Sequence, residues 1–304
     1  MSILRHGAIA LALALWTGTA LAAPVALPSQ AGWDAARQVV QTADGLRLTY
    51  VELGEDPATA TGTPVILLHG YTDNSRSWSL VAPALVAALP GRRILALDLR
   101  GHGKSQAPAC CYGPLDLAHD VGAAMDGLGI AKADLVGHSL GSITAATLAA
   151  SQPDRVGRLV LVSSATAVPQ ASLDWLWDNV PQLKAPIDPD SQFMRDWFSN
   201  PNPVDTDFLT RERTEGAAVP LPVWTGVLLG LTSYDWAPLA PRIAAPVTIL
   251  WGDKDPLFDE PAQTRLRQAL PKAAFHRVNG RGHNFFWEDP QMAAGLIAGA
   301  LADR

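Results

Sequence analysis

The chain has 304 residues, of which 48% are hydrophobic, and this is enough for one large domain with a sizeable apolar core. The formal net charge is −6 and the sequence has no basic stripe, which argues against nucleic acid as a partner. The sequence contains no zinc-ligand pattern, phosphate-binding glycine loop or dinucleotide fingerprint, so we expect no metal and no cofactor.

The first residues have the pattern of a secretory signal peptide. Arg5 precedes an apolar stretch over residues 8–16, and small residues follow at 20–23. Cleavage is expected after Ala22, so we predict a signal peptide over residues 1–22 and a secreted or periplasmic mature protein. The apolar stretch is short for a membrane span, and no stable span is expected once it is removed.

Short apolar runs that alternate with longer helical stretches predict a mostly parallel sheet covered by helices on both faces. An antiparallel hairpin is expected first, with strands over residues 37–41 and 46–50 around Asp44-Gly45. A buried strand over residues 65–68 follows. The loop after it begins His69-Gly70-Tyr71-Thr72, where glycine allows a turn that presents the N–H of Tyr71 at the sheet edge. His69 itself is interpreted as a packing residue.

The two cysteines of the chain, Cys110 and Cys111, are adjacent. A ring closed by neighbouring cysteines strains the peptide between them, yet an oxidising periplasm permits such a disulfide. Two free thiols in a surface loop are the alternative, and the sequence favours neither.

The run Gly137-His138-Ser139-Leu140-Gly141 is the strongest chemical signal in the chain. It follows an apolar strand over residues 133–136 and precedes a helix of small residues over 142–150. A serine with glycine two positions away on each side is typical of a sharp strand-to-helix turn that exposes a nucleophile. The N–H of Leu140, at the start of the helix, is then a second oxyanion donor beside that of Tyr71.

About eighty residues between a strand over 158–163 and a strand beginning at 246 differ in composition from the rest. They contain clustered prolines and half of the ten tryptophans, and they include a helix over residues 223–231 with an apolar face. Most such aromatic rings pack the segment onto the core, but as a set they predict an apolar pocket. The candidate substrate-binding residues are Trp175, Trp177, Trp197 and Trp224.

A serine nucleophile needs a histidine base and an acid that orients it. Of the two histidines after Ser139, His276 lies within a strand pattern, whereas His283 lies in a glycine-rich loop that suits a catalytic base. The strand that begins at residue 246 ends in a turn with two acids. Asp255 is the predicted triad acid, and Asp253 is the alternative, since aspartate in turns often bonds nearby backbone N–H groups.

The chain resembles the α/β-hydrolase superfamily, in the branch with an inserted lid that includes esterases and lactonases. The resemblance rests on five motifs in the expected order: His69-Gly70-Tyr71, the run over residues 98–105, residues 137–141, residues 251–255 and Gly282-His283. It implies a first core part over residues 23–163, a helical lid over 164–241 and a second core part over 242–304. The order serine, aspartate, histidine is the one expected for this fold.

The predicted function is hydrolysis of a hydrophobic carboxylic ester or lactone by a triad of Ser139, Asp255 and His283. The N–H groups of Tyr71 and Leu140 are expected to hold the oxyanion. A carbon–carbon bond hydrolase, a cofactor-free peracid-forming haloperoxidase and an acyltransferase use the same triad and remain alternatives. A small-molecule binding protein on the same scaffold is the non-enzymatic alternative, although mere capture does not require nucleophile, base, acid and oxyanion donors together.

Overall fold

The computed structural model describes residues 27–302, so the predicted signal peptide lies outside the described residues. Within them, eight strands form one sheet. Their bounds are β1 Arg37–Gln41, β2 Arg47–Gly54, β3 Val65–Leu68, β4 Arg93–Asp98, β5 Ala133–His138, β6 Val156–Val162, β7 Val247–Gly252 and β8 Ala274–Val278. They lie in the order β1-β2-β4-β3-β5-β6-β7-β8.

The sheet begins with the predicted hairpin and then becomes parallel. β1 pairs antiparallel with β2 across a turn in which Gly45 has φ +90°, and β2 pairs antiparallel with β4. All later pairs, from β3 with β4 to β7 with β8, are parallel. Parallel strands need crossover connections, and helices supply them.

Ten α-helices lie within residues 27–302. Their bounds are α1 Ala82–Ala88, α2 Pro114–Gly127, α3 Leu140–Ser151, α4 Gln170–Asn179, α5 Gln192–Trp197, α6 Thr206–Ala217, α7 Leu221–Thr232, α8 Glu260–Ala269, α9 Phe285–Glu288 and α10 Pro290–Leu301. One layer contains α1 packed against α10, and another contains α2 packed against α3. The predicted fold class, a mostly parallel sheet between helical layers, is confirmed.

The central strands are buried because helices cover both of their faces. Every residue of β3 and of β5 is buried, which explains the continuous apolar sequence of β3. β3, β5, β6, β7 and β8 run in the same direction, so the loops after their carboxyl ends meet at one edge of the sheet. This edge carries the candidate site.

Helices α4 to α7 form an insertion between β6 and β7, which we call the lid. Its buried aromatic and aliphatic side chains belong to the same hydrophobic cluster as the sheet core. The lid is therefore packed onto the core by apolar burial rather than by a separate core of its own. Within residues 27–302, no helix is both long enough and apolar enough to cross a membrane.

Candidate active site

Ser139 occupies the sharp turn between β5 and α3. Its backbone has φ 52° and ψ −118°, a conformation that residues with a side chain rarely adopt. A Cβ on Gly137 would collide with the carbonyl of Gly141, and a Cβ on Gly141 would collide with the carbonyl of Leu68. Glycine is thus required on both sides for the turn to close, as the motif predicts.

His283 and Asp255 meet at the same sheet edge. Nδ1 of His283 donates to Oδ2 of Asp255 at 2.8 Å, and the Asp255 side chain is fully buried. The other carboxylate oxygen accepts the backbone N–H groups of Leu257 at 2.9 Å and Phe258 at 3.0 Å. With its proton on Nδ1, the imidazole presents an unprotonated Nε2, the form that a general base requires.

Asp253, the alternative acid, has other partners than His283. Its Oδ1 accepts the N–H of Gly280 at 2.6 Å, and its Oδ2 lies 3.7 Å from Nε of Arg277. Both contacts join the end of β7 to the end of β8 and the turn after it. The structure therefore brings Asp255, and not Asp253, to His283.

The main chain of His283 is held from two further directions. Its carbonyl accepts the hydroxyl of Ser163 at 2.6 Å and lies 3.3 Å from Nε2 of His138. Burial and the nearby charge of His283 lower the pKa of His138 well below its usual value, so this ring is neutral and Nε2 carries the proton. These contacts restrain the base beside Ser139.

The two predicted oxyanion donors lie where β3 and β5 end. No hydrogen bond within residues 27–302 uses the N–H of Tyr71 or that of Leu140, so both remain available to a ligand. The phenol of Tyr71 donates to the carbonyl of Trp224 in the lid, which holds the loop. His69 is buried beneath this loop, where its Nε2 accepts the N–H of Leu99 at 2.9 Å, a packing role.

Ser139 lines two compartments, which we call the polar and the apolar compartment. The polar compartment is lined by Gly70, Tyr71, Asp73, His138, Ser139, Trp197, Phe198, Leu257, His283, Asn284 and Trp287. The apolar compartment is lined by Tyr71, Ser139, Leu140, Ile143, Val168, Ser172, Leu176, Trp197, Leu231, Leu257 and Phe258. Neither lining includes an arginine or a lysine.

Of the four predicted lid tryptophans, the structure brings only Trp197 to these compartments. Trp197 lines both, and its Nε1 donates to the hydroxyl of Thr72 at 2.8 Å. Trp175 stacks on it at 6.0 Å between ring centroids, and Trp224 packs behind it at 6.1 Å. Trp177 instead donates to Thr232 within the lid, because its position on α4 turns it towards α7.

Three buried polar residues in or next to the site could not be assigned a role from the sequence: Asp73, His138 and Glu212. Burial raises the pKa of Asp73 to about 7, although the charge of His283 and the N–H of Gly70 act in the opposite direction. His138 stands beside the nucleophile in the motif, and Asp73 stands two positions after Tyr71. The sequence signal for Asp73 and His138 was their position in loops that follow two strands, because both strands end at the same edge of the sheet.

The loop with the two cysteines precedes α2 and lies against α7 of the lid, where Gly113 and Gly230 come into close contact. Cys110 and Cys111 are joined in a disulfide, one of the two alternatives open from the sequence. Nη1 of Arg100 donates to the carbonyl of Cys111 at 2.8 Å, and the same guanidinium pairs with Asp120. The loop thus has a fixed attachment to α2.

Comparison with known proteins identifies the family. The model of the α/β hydrolase fold matches residues 63–290, and the chain therefore belongs to this family. A 2-hydroxy-6-oxononadienedioate/2-hydroxy-6-oxononatrienedioate hydrolase of Paraburkholderia phymatum is 28% identical over 261 residues, which cover 82% of this chain and 89% of the relative. The dihydrolipoyllysine-residue acetyltransferase component of the acetoin cleaving system of Pseudomonas putida is 43% identical, but over 122 residues that span 40% of this chain and 31% of that protein.

Solved structures agree on the fold. The enol-lactonase of Burkholderia xenovorans superimposes with a TM-score of 0.71 at 21% identity, covering 88% of this chain and 100% of that one. An esterase of Exiguobacterium antarcticum superimposes with a TM-score of 0.74 at 18% identity, covering 87% and 99%. At these identities the likeness establishes the fold alone.

Proposed function

We propose that the protein is a serine hydrolase that cleaves a hydrophobic carboxylic ester or lactone through an acyl-enzyme on Ser139. The observation that carries this proposal is the 2.8 Å hydrogen bond from Nδ1 of His283 to Asp255, in a cavity that the strained Ser139 also lines. A nucleophile, an oriented base, a buried acid and two unused N–H donors are the parts that acyl transfer requires.

In the proposed reaction, Oγ of Ser139 attacks the ester carbonyl carbon while its proton passes to Nε2 of His283. The carbonyl oxygen becomes an oxyanion, held by the N–H groups of Tyr71 and Leu140, and Asp255 stabilises the imidazolium. The carbon–oxygen bond to the alcohol then breaks, and the alcohol leaves with the proton from His283. Water, deprotonated by His283, hydrolyses the acyl-enzyme and restores the serine.

The two compartments suggest how a substrate divides between them. The leaving oxygen must come within reach of His283, and His283 lines the polar compartment but not the apolar one. The alcohol part therefore belongs in the polar compartment. The acyl chain then belongs in the apolar compartment, whose walls include Ile143, Leu176 and Leu231.

Carbon–carbon bond hydrolysis is the second candidate, favoured by the relative of Paraburkholderia phymatum. The name of that relative indicates a dioate substrate, which carries two carboxylates. No arginine or lysine lines either compartment here, and Asp73 lies in one of them. A desolvated dianion without a cationic partner is costly, so the walls favour a substrate without carboxylates.

The test is turnover of a panel of uncharged esters and lactones of increasing acyl length by the purified protein, with ethyl butyrate as the reference and a dienedioate as the competing substrate. We expect turnover of the uncharged esters and none in Ser139→Ala. Cleavage of the dienedioate alone would assign the second candidate. Binding without turnover of any compound would assign a binding protein.

We also propose that the protein is exported. The leader pattern over residues 1–22 motivates this, and the Cys110–Cys111 disulfide is compatible with an oxidising compartment. N-terminal sequencing of protein recovered from outside the cytoplasm is expected to begin near Ala23. Exported protein that retains Met1 would contradict the cleavage.

A further inference from the structure

The polar compartment contains an acid that the proposed reaction does not use. The Asp73 side chain is 6% exposed and lines the cavity with Ser139 and His283. Its Oδ2 lies 3.8 Å from Nδ1 of His138, and this nitrogen has no hydrogen-bond partner within residues 27–302. Two groups that accept hydrogen bonds thus stand together without a donor between them.

A second carboxyl lies behind Asp73. Glu212 on α6 is fully buried, and neither of its oxygens has a hydrogen-bond partner in the described part of the chain. α6 packs on the loop of Asp73, since a Cβ on Gly216 would lie 3.4 Å from the carbonyl oxygen of Thr72. Burial and the charge of Asp73 raise the pKa of Glu212 well above its usual value, so the charge of this pair of carboxyls resides on Asp73 once the pH exceeds the pKa of Asp73.

The nearby arginines already have partners. Nη2 of Arg76 lies 2.9 Å from Asp34 and 2.7 Å from Glu215, and Nε of Arg37 donates to Asp98 at 2.8 Å. No arginine or lysine lines the compartment itself. Apart from the N–H of Gly70 and the charge of His283, the carboxylate of Asp73 therefore has no stabilising partner in the lining of this compartment, and a cation that enters the cavity can pair with it.

The remaining walls are rich in aromatic rings. Tyr71, Trp197, Phe198 and Trp287 line the same compartment as Asp73. Aromatic rings attract cations through their quadrupole, and aromatic enclosures are used to bind quaternary ammonium groups. A buried carboxylate among such rings, with no competing cation, matches an organic cation better than a neutral or anionic group.

We propose that the polar compartment selects esters whose alcohol part carries an organic cation, with Asp73 as the specificity-determining residue. This inference rests on the proposed ester hydrolysis for its placement of the alcohol, and it names the class of alcohol. The cationic group pairs with the carboxylate of Asp73, while the ester carbonyl lies at Ser139.

The selectivity depends on pH in a defined direction. The titratable groups that act on Asp73 are His283, His138 and Glu212. Glu212 in turn is influenced by the charges of Glu215, Arg76 and Arg37. Asp73 has a raised pKa of about 7, so its charge is present above this pH and is lost as the pH falls through it. Preference for the cationic ester therefore rises between pH 6 and pH 8.

The experiment compares butyrylcholine with 3,3-dimethylbutyl butyrate, two esters of nearly equal shape of which only the first is charged. We expect kcat/KM for butyrylcholine to be about tenfold higher at pH 8 and the ratio to fall towards one at pH 6. Any effect of pH on the catalytic steps that the two esters share cancels in the ratio. Asp73→Asn is expected to bring the ratio near one at both pH values.

Asp207→Asn is the matched control, because it removes one acid from the exposed side of α6 and is expected to keep the wild-type ratio. Choline alone, tested by calorimetry, is expected to bind wild type and not Asp73→Asn, which separates this inference from ester turnover. Absence of ethyl butyrate turnover would contradict the proposed function only. A wild-type ratio of one without choline binding would overturn the inference. Equal loss of kcat for both esters in Asp73→Asn would also overturn it, since Asp73 would then act through His283.

Discussion

The sheet edge and the lid meet at the same cavity, but they position their side chains in different ways. At the edge, positions are set by backbone strain and hydrogen bonds: Ser139 is held by a strained turn, and His283 by hydrogen bonds to both its ring and its carbonyl. In the lid, positions are set by ring packing, as in the stack of Trp175 on Trp197. Backbone strain and hydrogen bonds fix a side chain with the accuracy that catalysis requires, whereas a packed ring can be replaced by another apolar side chain at a smaller cost. We therefore expect substitutions at the edge to lower kcat and substitutions in the lid to alter KM.

The largest effect is expected for Ser139→Ala. Loss of the nucleophile should lower kcat by at least about a thousandfold, because the oxyanion donors and substrate binding alone supply little catalysis. The thermal midpoint should hold or rise, since alanine keeps the backbone and removes only a hydroxyl. A fluorophosphonate is expected to label wild type at this serine and to leave the variant unlabelled. Labelling of a different serine would move the nucleophile elsewhere.

The next effect separates the two acids after β7. Asp255→Asn places an amide donor against Nδ1 of His283 and removes the charge that stabilises the imidazolium, so kcat should fall by about a hundredfold or more. Asp253→Asn, the matched control, weakens a contact to Gly280 and should change kcat by less than about tenfold. Measuring kcat and thermal midpoint for both variants decides the matter. An inactive Asp253→Asn with an unchanged midpoint would reverse the assignment.

A smaller effect is expected where the lid reaches the cavity. Trp197→Leu removes a ring that lines both compartments and the bond from its Nε1 to Thr72. We expect KM to rise about tenfold, which corresponds to about 1.4 kcal/mol of binding, with kcat changed by less than about threefold. Trp197→Phe keeps an aromatic ring and should recover part of the loss. A fall in kcat with unchanged KM would show that the lid shares the role of the sheet edge.

The two regions also differ in how far their structure could be predicted from sequence. β3 was predicted at the observed bounds, because a strand covered on both faces must be continuously apolar. α3 begins at Leu140, two residues before the predicted start, since the turn at Ser139 leads directly into the helix. The two loops that bring Asp73 to His138 are far apart in the chain, so no local pattern reports their contact.

In the lid, composition predicted an aromatic segment but not which rings face the substrate. Four tryptophans were candidates, and only Trp197 reaches the cavity, because the facing of each ring depends on how four short helices pack. The sequence also left open whether Cys110 and Cys111 form a disulfide, because it is the same for oxidised and for free cysteines. The orientations of the lid rings could not be predicted because they depend on tertiary packing.

The smallest effect is expected in the part of the lid that does not line the cavity. Nε1 of Trp177 donates to Thr232 at 2.9 Å, and neither residue lines the cavity. Trp177→Phe removes this bond and keeps most of the ring, so the loss should be about 0.5–1 kcal/mol, a fall of about 1–4 °C in thermal midpoint. Thr232→Val removes the same bond from the other end and should give a similar shift. Because the bond lies within the lid, kcat/KM should change by less than about twofold in both variants. A rise in KM as large as that of Trp197→Leu would contradict this expectation. Substrate binding would then depend on lid residues that do not line the cavity as well as on those that do.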